Sequence, residues 1–337
     1  MILLASAESI LSTPRGRRLC WSLLDIVVSA QGDRAWARVG YDVWTGAYQG
    51  DLRCLASVLA AWVEASNPAQ LADSADELLL LAALAEPVDQ ATYWQPPDEV
   101  DQALADVEVR GTLLPLAQVV STAPAAQWWT SPAPLDRQQY VEWTDEHGAA
   151  IEVAGTAAKL AYWRANRAQW ATWWSTPRPS SIPATTRALT GLGAVGLCLV
   201  EDGFGCEQAI CWPVAPSRPA RVYEITAPQD WQNLVGRYPL DVTEARGQSW
   251  RYLSDWGGTW LIPDFGAVAA DYDAIHLSVA GYVLTAGRAL PAEDARTILA
   301  GWDPDETYWL TDVLEVSGQP QTWNRRREPI EWEPDEA

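Results

Sequence analysis

A chain of 337 residues with 48% hydrophobic and 20% charged residues is long enough to bury a sizeable core and too apolar to stay disordered. Its formal net charge of −21 excludes a general nucleic-acid surface, which needs clustered cations, and sets the chain against anionic membranes. No run reaches the roughly 20 apolar residues of a membrane span, no G-x-G-x-x-G opens a strand–helix unit, and P-loop, nucleophile-elbow, H-E-x-x-H and EF-hand motifs are absent.

The first half reads as helix after helix. Residues 19–28 follow a Pro14-Arg15 start and keep apolar side chains at helical spacing. Residues 52–63 repeat the pattern, with Leu52, Leu55, Ala56, Leu59 and Trp62 on one face. Residues 76–84 form a dense Leu/Ala helix expected to end before Pro87, and 98–120 form another, broken or kinked near Gly111 and Pro115. A long Ala/Trp/Arg helix over 154–174 is stopped by Pro177 and Pro179. The expectation is a helical domain over 1–175, then a Pro/Ser linker over 176–183 that favours extended backbone.

Beyond the linker the pattern changes to short strands. Residues 194–200, 208–214 and 221–226 are apolar or β-branched runs, the first two expected to join through a hairpin at Asp202-Gly203. A helix over 230–238, a strand at 260–262, a helix over 263–269 and strands at 273–279, 297–300 and 307–310 follow, with 281–289 ambiguous. Lacking regular βαβ spacing, residues 184–317 predict an α+β domain with a mixed or antiparallel sheet, smaller than the helical one. Residues 318–337 read as an acidic, polar, extended tail.

Twenty-one tryptophans against two phenylalanines make indole the main aromatic packing unit. The indole N–H needs a partner when buried, so these residues are expected in core shells, helix seams and binding surfaces. The pairs Trp128-Trp129 and Trp173-Trp174 suit either an exposed platform or the seal of a helix end. Five cysteines at no scaffold spacing predict reduced, mostly buried thiols, as in a cytoplasmic protein. Cys206-x4-Cys211 lacks further ligands, so no metal site is expected. Glu8 interrupts the apolar start and no basic stretch precedes it, which does not suit a signal peptide.

Three segments carry the residues best suited to chemistry: Arg221-Val222-Tyr223-Glu224-Ile225, Asp273-Ala274-Ile275-His276-Leu277-Ser278, and the acidic turn of Asp303, Asp305 and Glu306 leading into Thr307-Tyr308-Trp309. In this order they resemble the R-S-E arrangement of ADP-ribosyltransferases. The resemblance implies NAD as cofactor, with Arg221 clamping its phosphates, Ser278 shaping the nicotinamide pocket and Glu306 as catalytic carboxylate. His276 would join the catalytic set, and Tyr223, Tyr282 and Trp309 would line the cofactor site. A planar guanidinium suits bidentate phosphate contact, and a carboxylate stabilises positive charge developing on a ribose. The motif departs from that family in having His-Leu-Ser for S-T-S and no second glutamate two residues from Glu306. The same residues also fit a plain structural role, with Arg221 paired to a surface acid, His276 satisfied within its strand and the acidic turn solvated. The whole chain also resembles a family of uncharacterised proteins from high-GC bacteria, which implies no activity.

Two functions follow as expectations. The leading one is a protein-interaction or regulatory module whose acidic surface and Trp-rich seams receive a protein partner. The alternative is a NAD-using, ADP-ribosyltransferase-like enzyme or toxin with its site in the C-terminal domain.

Overall fold

The computed structural model describes residues 5–32, 34–45, 51–143, 154–166, 173–177, 182–201, 205–327 and 330–335. Helices dominate the first half. They are α1 Ala7–Leu11, α2 Pro14–Ala30, α3 Arg34–Trp44, α4 Leu52–Ala65 and α5 Pro68–Ser74. After them come α6 Glu77–Asp89, α7 Glu99–Ala105, α8 Val107–Thr112 and α9 Leu114–Thr122. Short polar residues start most of them. Thr13 accepts from Gly16 N at the head of α2, and Asp51, Asp76, Asp98 and Asp106 do the same for α4, α6, α7 and α8. Each such cap satisfies a first-turn N–H that would otherwise lack a partner, and contributes about 1 kcal/mol.

Pro87 does not end its helix. It lies inside α6, where its carbonyl accepts from the Arg15 guanidinium at 2.6 Å and the buried Leu80, Leu81, Leu84 and Val88 hold the helix on the core. Packing outweighs the local breaker. The 98–120 stretch breaks as expected, into α7, α8 and α9, but at Asp106 and Leu113. The expected 154–174 helix shortens to α10 Thr156–Ala165, and Trp173-Trp174 is non-helical; residues 167–172 lie outside the described set.

The sheet draws a strand from the first half that sequence periodicity does not predict. Its strands are β1 Gln138–Trp143, β2 Ala184–Leu189, β3 Gly193–Ala194, β4 Gln208–Pro216 and β5 Val222–Ile225. Small pairs are β6 Pro239–Asp241 with β7 Leu261–Pro263, and β9 Leu290–Ala292 with β10 Ala295–Thr297; β8 is Ala274–Leu277. The last strands are β11 Thr307–Trp309, β12 Leu314–Val316, β13 Gln321–Arg327 and β14 Glu331–Pro334. Among the described residues the main sheet runs β14-β13-β4-β1-β2-β11-β8-β5, with β12 also on β4 and β3 on β2. Pairings are antiparallel except β5 with β8, so the sheet is mixed, as expected of an α+β fold.

Helices α11 Pro228–Arg237, α12 Thr243–Trp250, α13 Phe265–Asp271 and α14 Val279–Thr285 fill the connections. Three further expectations change. The 194–200 run shrinks to β3 and a 3-10 turn at Val195–Leu197; β4 pairs with β1 rather than β3, and the Asp202-Gly203 turn lies outside the described residues. The ambiguous 281–289 stretch falls largely in α14. The tail is no loose extension. Strands β13 and β14 pair with each other, and β13 lies on the free side of β4, anchored by buried Trp323 and Trp332.

One hydrophobic core runs through both halves, and a smaller cluster of Val214, Ala274, Trp309, Val313 and Leu314 covers part of the sheet. Polar bonds cross the same seam. Thr13 Oγ1 donates to Val283 O at 2.8 Å, and the Tyr93 hydroxyl donates to buried Glu201.

Candidate functional site

Strand register separates the residues of the expected R-S-E set. Arg221 O accepts from Asp273 N at 2.7 Å, which places Arg221 at the start of β8. Glu306 O accepts from Leu277 N at 3.0 Å, and Ser278 follows, which places both at its end. Four residues of strand lie between, about 13 Å. Arg221 therefore does not meet Ser278 and Glu306 in one cleft.

Each member has a structural task. The Arg221 Nε donates to Asp273 at 3.2 Å, beside Arg218, which donates to the same carboxylate at 2.8 Å. Asp273 is fully buried; burial would raise its pKa, but the bonds from Arg218, Arg221 and Thr311 hold it far below the usual carboxylate range. Ser278 caps α14, accepting from Gly281 N at 3.0 Å and donating to Ile225 O at 3.2 Å. Glu306 accepts from Asp303 N at 3.2 Å. The turn is not solvated, since Asp303, Asp305 and Glu306 are all buried.

The expected stacking residues are also built into the fold. Trp309 is fully buried, its indole N–H donating to Thr185 Oγ1 at 2.8 Å. Tyr282 is fully buried near Tyr93 and Glu201, and burial, reinforced by the Glu201 charge, pushes its phenol well above the ordinary value. Tyr223 donates to Asp230 O at 2.7 Å and meets Tyr272 edge-on.

What the sheet does bring together is a row of four charges on neighbouring strands. Glu224 on β5 lies beside His276 on β8, Asp305 precedes β11, and Arg187 sits on β2. His276 Nδ1 lies 2.5 Å from Glu224 and its Nε2 3.2 Å from Asp305. Arg187 Nε donates to Asp305 at 2.6 Å, and its backbone N–H to the second Asp305 oxygen at 2.9 Å. The order is minus, plus, minus, plus. Arg187 also lies over the Trp128 ring at 4.7 Å. The 131–133 segment spans the row, taking Arg187 bonds on Ser131 O and Pro132 O and giving Ala133 N to Glu224 at 3.1 Å. Only the Glu224 end reaches solvent, with 27% of its side chain exposed against 0% for His276 and 1% for Asp305.

Asp305 is held at φ 61°, a left-handed conformation uncommon outside glycine and asparagine, which aims its carboxylate into this row. Burial opposes the His276 cation, but the hydrogen bonds to Asp305 and Glu224 prevail and push its pKa up to about 9. The same His276 and Arg187 contacts outweigh burial at Asp305 and hold it below the usual carboxylate range. An imidazolium with both N–H groups donated has no lone pair to take a proton at neutral pH. The row is therefore an electrostatic strut across four strands.

Sequence reasoning singled out His276 but missed Arg187 and the role of Glu224. The available signal was a charge at an inward position of each short strand, Thr185-Thr186-Arg187 and Val222-Tyr223-Glu224. The sequence Gly191-Leu192-Gly193-Ala194-Val195-Gly196 has G-x-G-x-x-G spacing, but it runs from the turn after antiparallel β2 through β3 into a three-residue 3-10 turn. No helix follows it to hold a pyrophosphate.

Among the described residues, no group of three or more His, Cys, Asp or Glu is arranged to hold a metal ion. Among the same residues no helix is long and apolar enough to cross a membrane. All five cysteines are free thiols, with Cys20, Cys198 and Cys211 buried. Between α10 and α13 lies a shallow groove of about 490 Å³, lined by alanines, Leu160, Gly266 and Arg164. It holds none of the expected site residues and none of the charged row. No family model, curated protein or solved structure matches the chain.

Proposed function

We propose that this chain is a protein-interaction module that offers a carboxylate-rich surface to a basic protein partner. The observation that carries it is the division of charge in the helical half. Residues 1–122 hold sixteen carboxylates against seven arginines. Of those arginines, Arg15 and Arg18 are buried on Asp101, Glu86 and Asp98, while the exposed Arg38 and Arg53 pair with Asp42 and Glu108. Glu8, Asp25, Asp51, Glu64, Asp73, Asp76, Asp89 and Glu99 remain exposed on the surface. A surface of strong net charge steers an oppositely charged partner and speeds its encounter. The absorption of Arg221, Ser278, His276 and Glu306 into caps, strand pairs and ion pairs supports the same reading.

The test is retention of partners from extract on immobilised protein at about 50 mM and about 500 mM salt, across which screening shortens severalfold. Basic proteins retained at low salt, released at high salt and lost when Asp73, Asp76 and Asp89 are changed to Asn support the proposal. Retention of nothing at low salt overturns it. Titration with NAD is the companion measurement. Saturable binding with nicotinamide release, lost in Glu306→Gln, would make the C-terminal half a NAD-using transferase instead.

A further inference from the structure

Four arginines are buried among the described residues: Arg15, Arg18, Arg187 and Arg246. Three face carboxylates, Arg15 on Asp101, Arg18 on Glu86 and Asp98, and Arg187 on Asp305. Arg246 differs. It lies on α12 with no accessible surface, and its Nε donates to the backbone carbonyl of Trp174 at 2.6 Å. Both of its terminal nitrogens are buried without a hydrogen-bond partner. Burial lowers its pKa to about 10 with no carboxylate to offset the loss, so it remains a cation at neutral pH.

The surroundings add neutral backbone carbonyls and further donors, and no counter-charge. The Trp173–Pro177 stretch, with neither helix nor strand, meets the guanidinium at Trp174 O, and Trp250, one turn along α12, donates its indole N–H to Trp173 O at 2.9 Å. On that same stretch the Trp174 indole nitrogen and the Thr176 hydroxyl are also buried without partners. Gly247 brings Trp260 against α12, and Trp250 and Trp260 meet edge-on at 5.4 Å, so indoles pack along the helix that carries Arg246. A buried cation without a counter-charge is among the costliest arrangements a protein can hold, and native structures pair such groups.

We propose that Arg246 is the anchor of an internal anion site, taking a small oxyanion, a carboxylate or a phosphate group, beside the Trp173–Pro177 stretch. Its two terminal nitrogens present a parallel N–H fork that matches two oxygens of one such group. Trp174 Nε1 and Thr176 Oγ1 would supply further donors, and the neighbouring indoles would exclude water from the pair. This site is independent of the acidic surface proposed above, and its failure would leave that proposal untouched.

Dialysed full-length protein is titrated with phosphate, acetate and benzoate in a zwitterionic buffer, following melting temperature and tryptophan fluorescence. A saturable response to at least one probe is expected, with melting raised by about 4 °C once the probe exceeds its Kd about 100-fold. A response to phosphate alone assigns a phosphate site; one confined to acetate or benzoate assigns a carboxylate site. Arg246→Met should abolish the response and melt above the probe-free wild type, because it removes an uncompensated buried charge. Arg246→Lys keeps the charge without the fork and should weaken binding at least tenfold. No saturable response of the wild type to any probe overturns the proposal, as does an undiminished response in Arg246→Met. If neither variant folds, the wild-type titration alone decides.

Discussion

His276 shows how much one side chain can commit to a fold. Its ring is held between Glu224 and Asp305, and its pKa rises from an ordinary 6.5 to about 9. A group whose pKa is raised on folding contributes stability that is full below the unfolded value, about 6.5, and is lost as pH climbs through 9. The contribution is on the order of 3 kcal/mol. Urea unfolding of the wild type should therefore show a fall between pH 6.5 and 9.5. In His276→Gln stability should be lower at pH 6.5, since Glu224 and Asp305 then lose the cation between them and only Arg187 still offsets Asp305, and this alkaline fall should vanish. An unchanged fall in the variant would assign the effect to other groups. Asp305 acts in the opposite direction, contributing stability that is lost as pH drops through its lowered pKa. Sequence showed a histidine inside an apolar strand but not its partners, because Arg187 and Glu224 lie 89 and 52 positions away and meet it only through register.

At the scale of elements, strand β8 and helix α14 form one tightly fitted unit. Ser278 ends the strand and caps the helix, and Gly281 follows at the point where α14 crosses the end of β5. A methyl group on Gly281 would lie 2.2 Å from Ile225 O, a backbone atom that cannot move aside cheaply. Gly281→Ala gains up to about 1 kcal/mol of helix propensity but should lose about 3 kcal/mol to overpacking, so the clash decides the sign. Chemical denaturation checks this, and a variant as stable as wild type would mean that β5 and α14 are less closely packed than described. The same unit shows why Asp273 to Val279 reads as a strand in sequence. Apolar Ala274, Ile275, Leu277 and Val279 extend past the end of the strand, and only the Ser278 side chain turning back onto Gly281 N divides strand from helix. Likewise Pro87 is a breaker by local rules, yet α6 continues through it because α2 packs along its length.

Across the whole molecule, the helical half and the sheet share one core, and the chain's last residues close the sheet. Without β13 and β14, the β4 edge would expose unpaired backbone groups, and Trp143 would lose its contact with Trp332 at 5.7 Å. Deleting residues 318–337 should therefore give a protein that aggregates at micromolar concentration, measured by light scattering, rather than one that merely loses an acidic tail. A monomeric deletion variant with unchanged melting would show that the two strands are dispensable.

The amino-acid pattern alone determined the α+β class, most helices of the first half and, of the second half, the strands β4, β5, β7, β8 and β11. Those features depend on periodicity and composition over ten or twenty neighbouring residues. Only tertiary structure decided that β1 leaves the helical half to join the sheet, that β13 and β14 form its edge, that Arg221 and Glu306 lie at opposite ends of β8, and that Arg246 is buried without a counter-charge. Each depends on strand register and on contacts between distant positions. Local pattern does not specify them, because the free energy that selects them comes from burial and pairing across the assembled core.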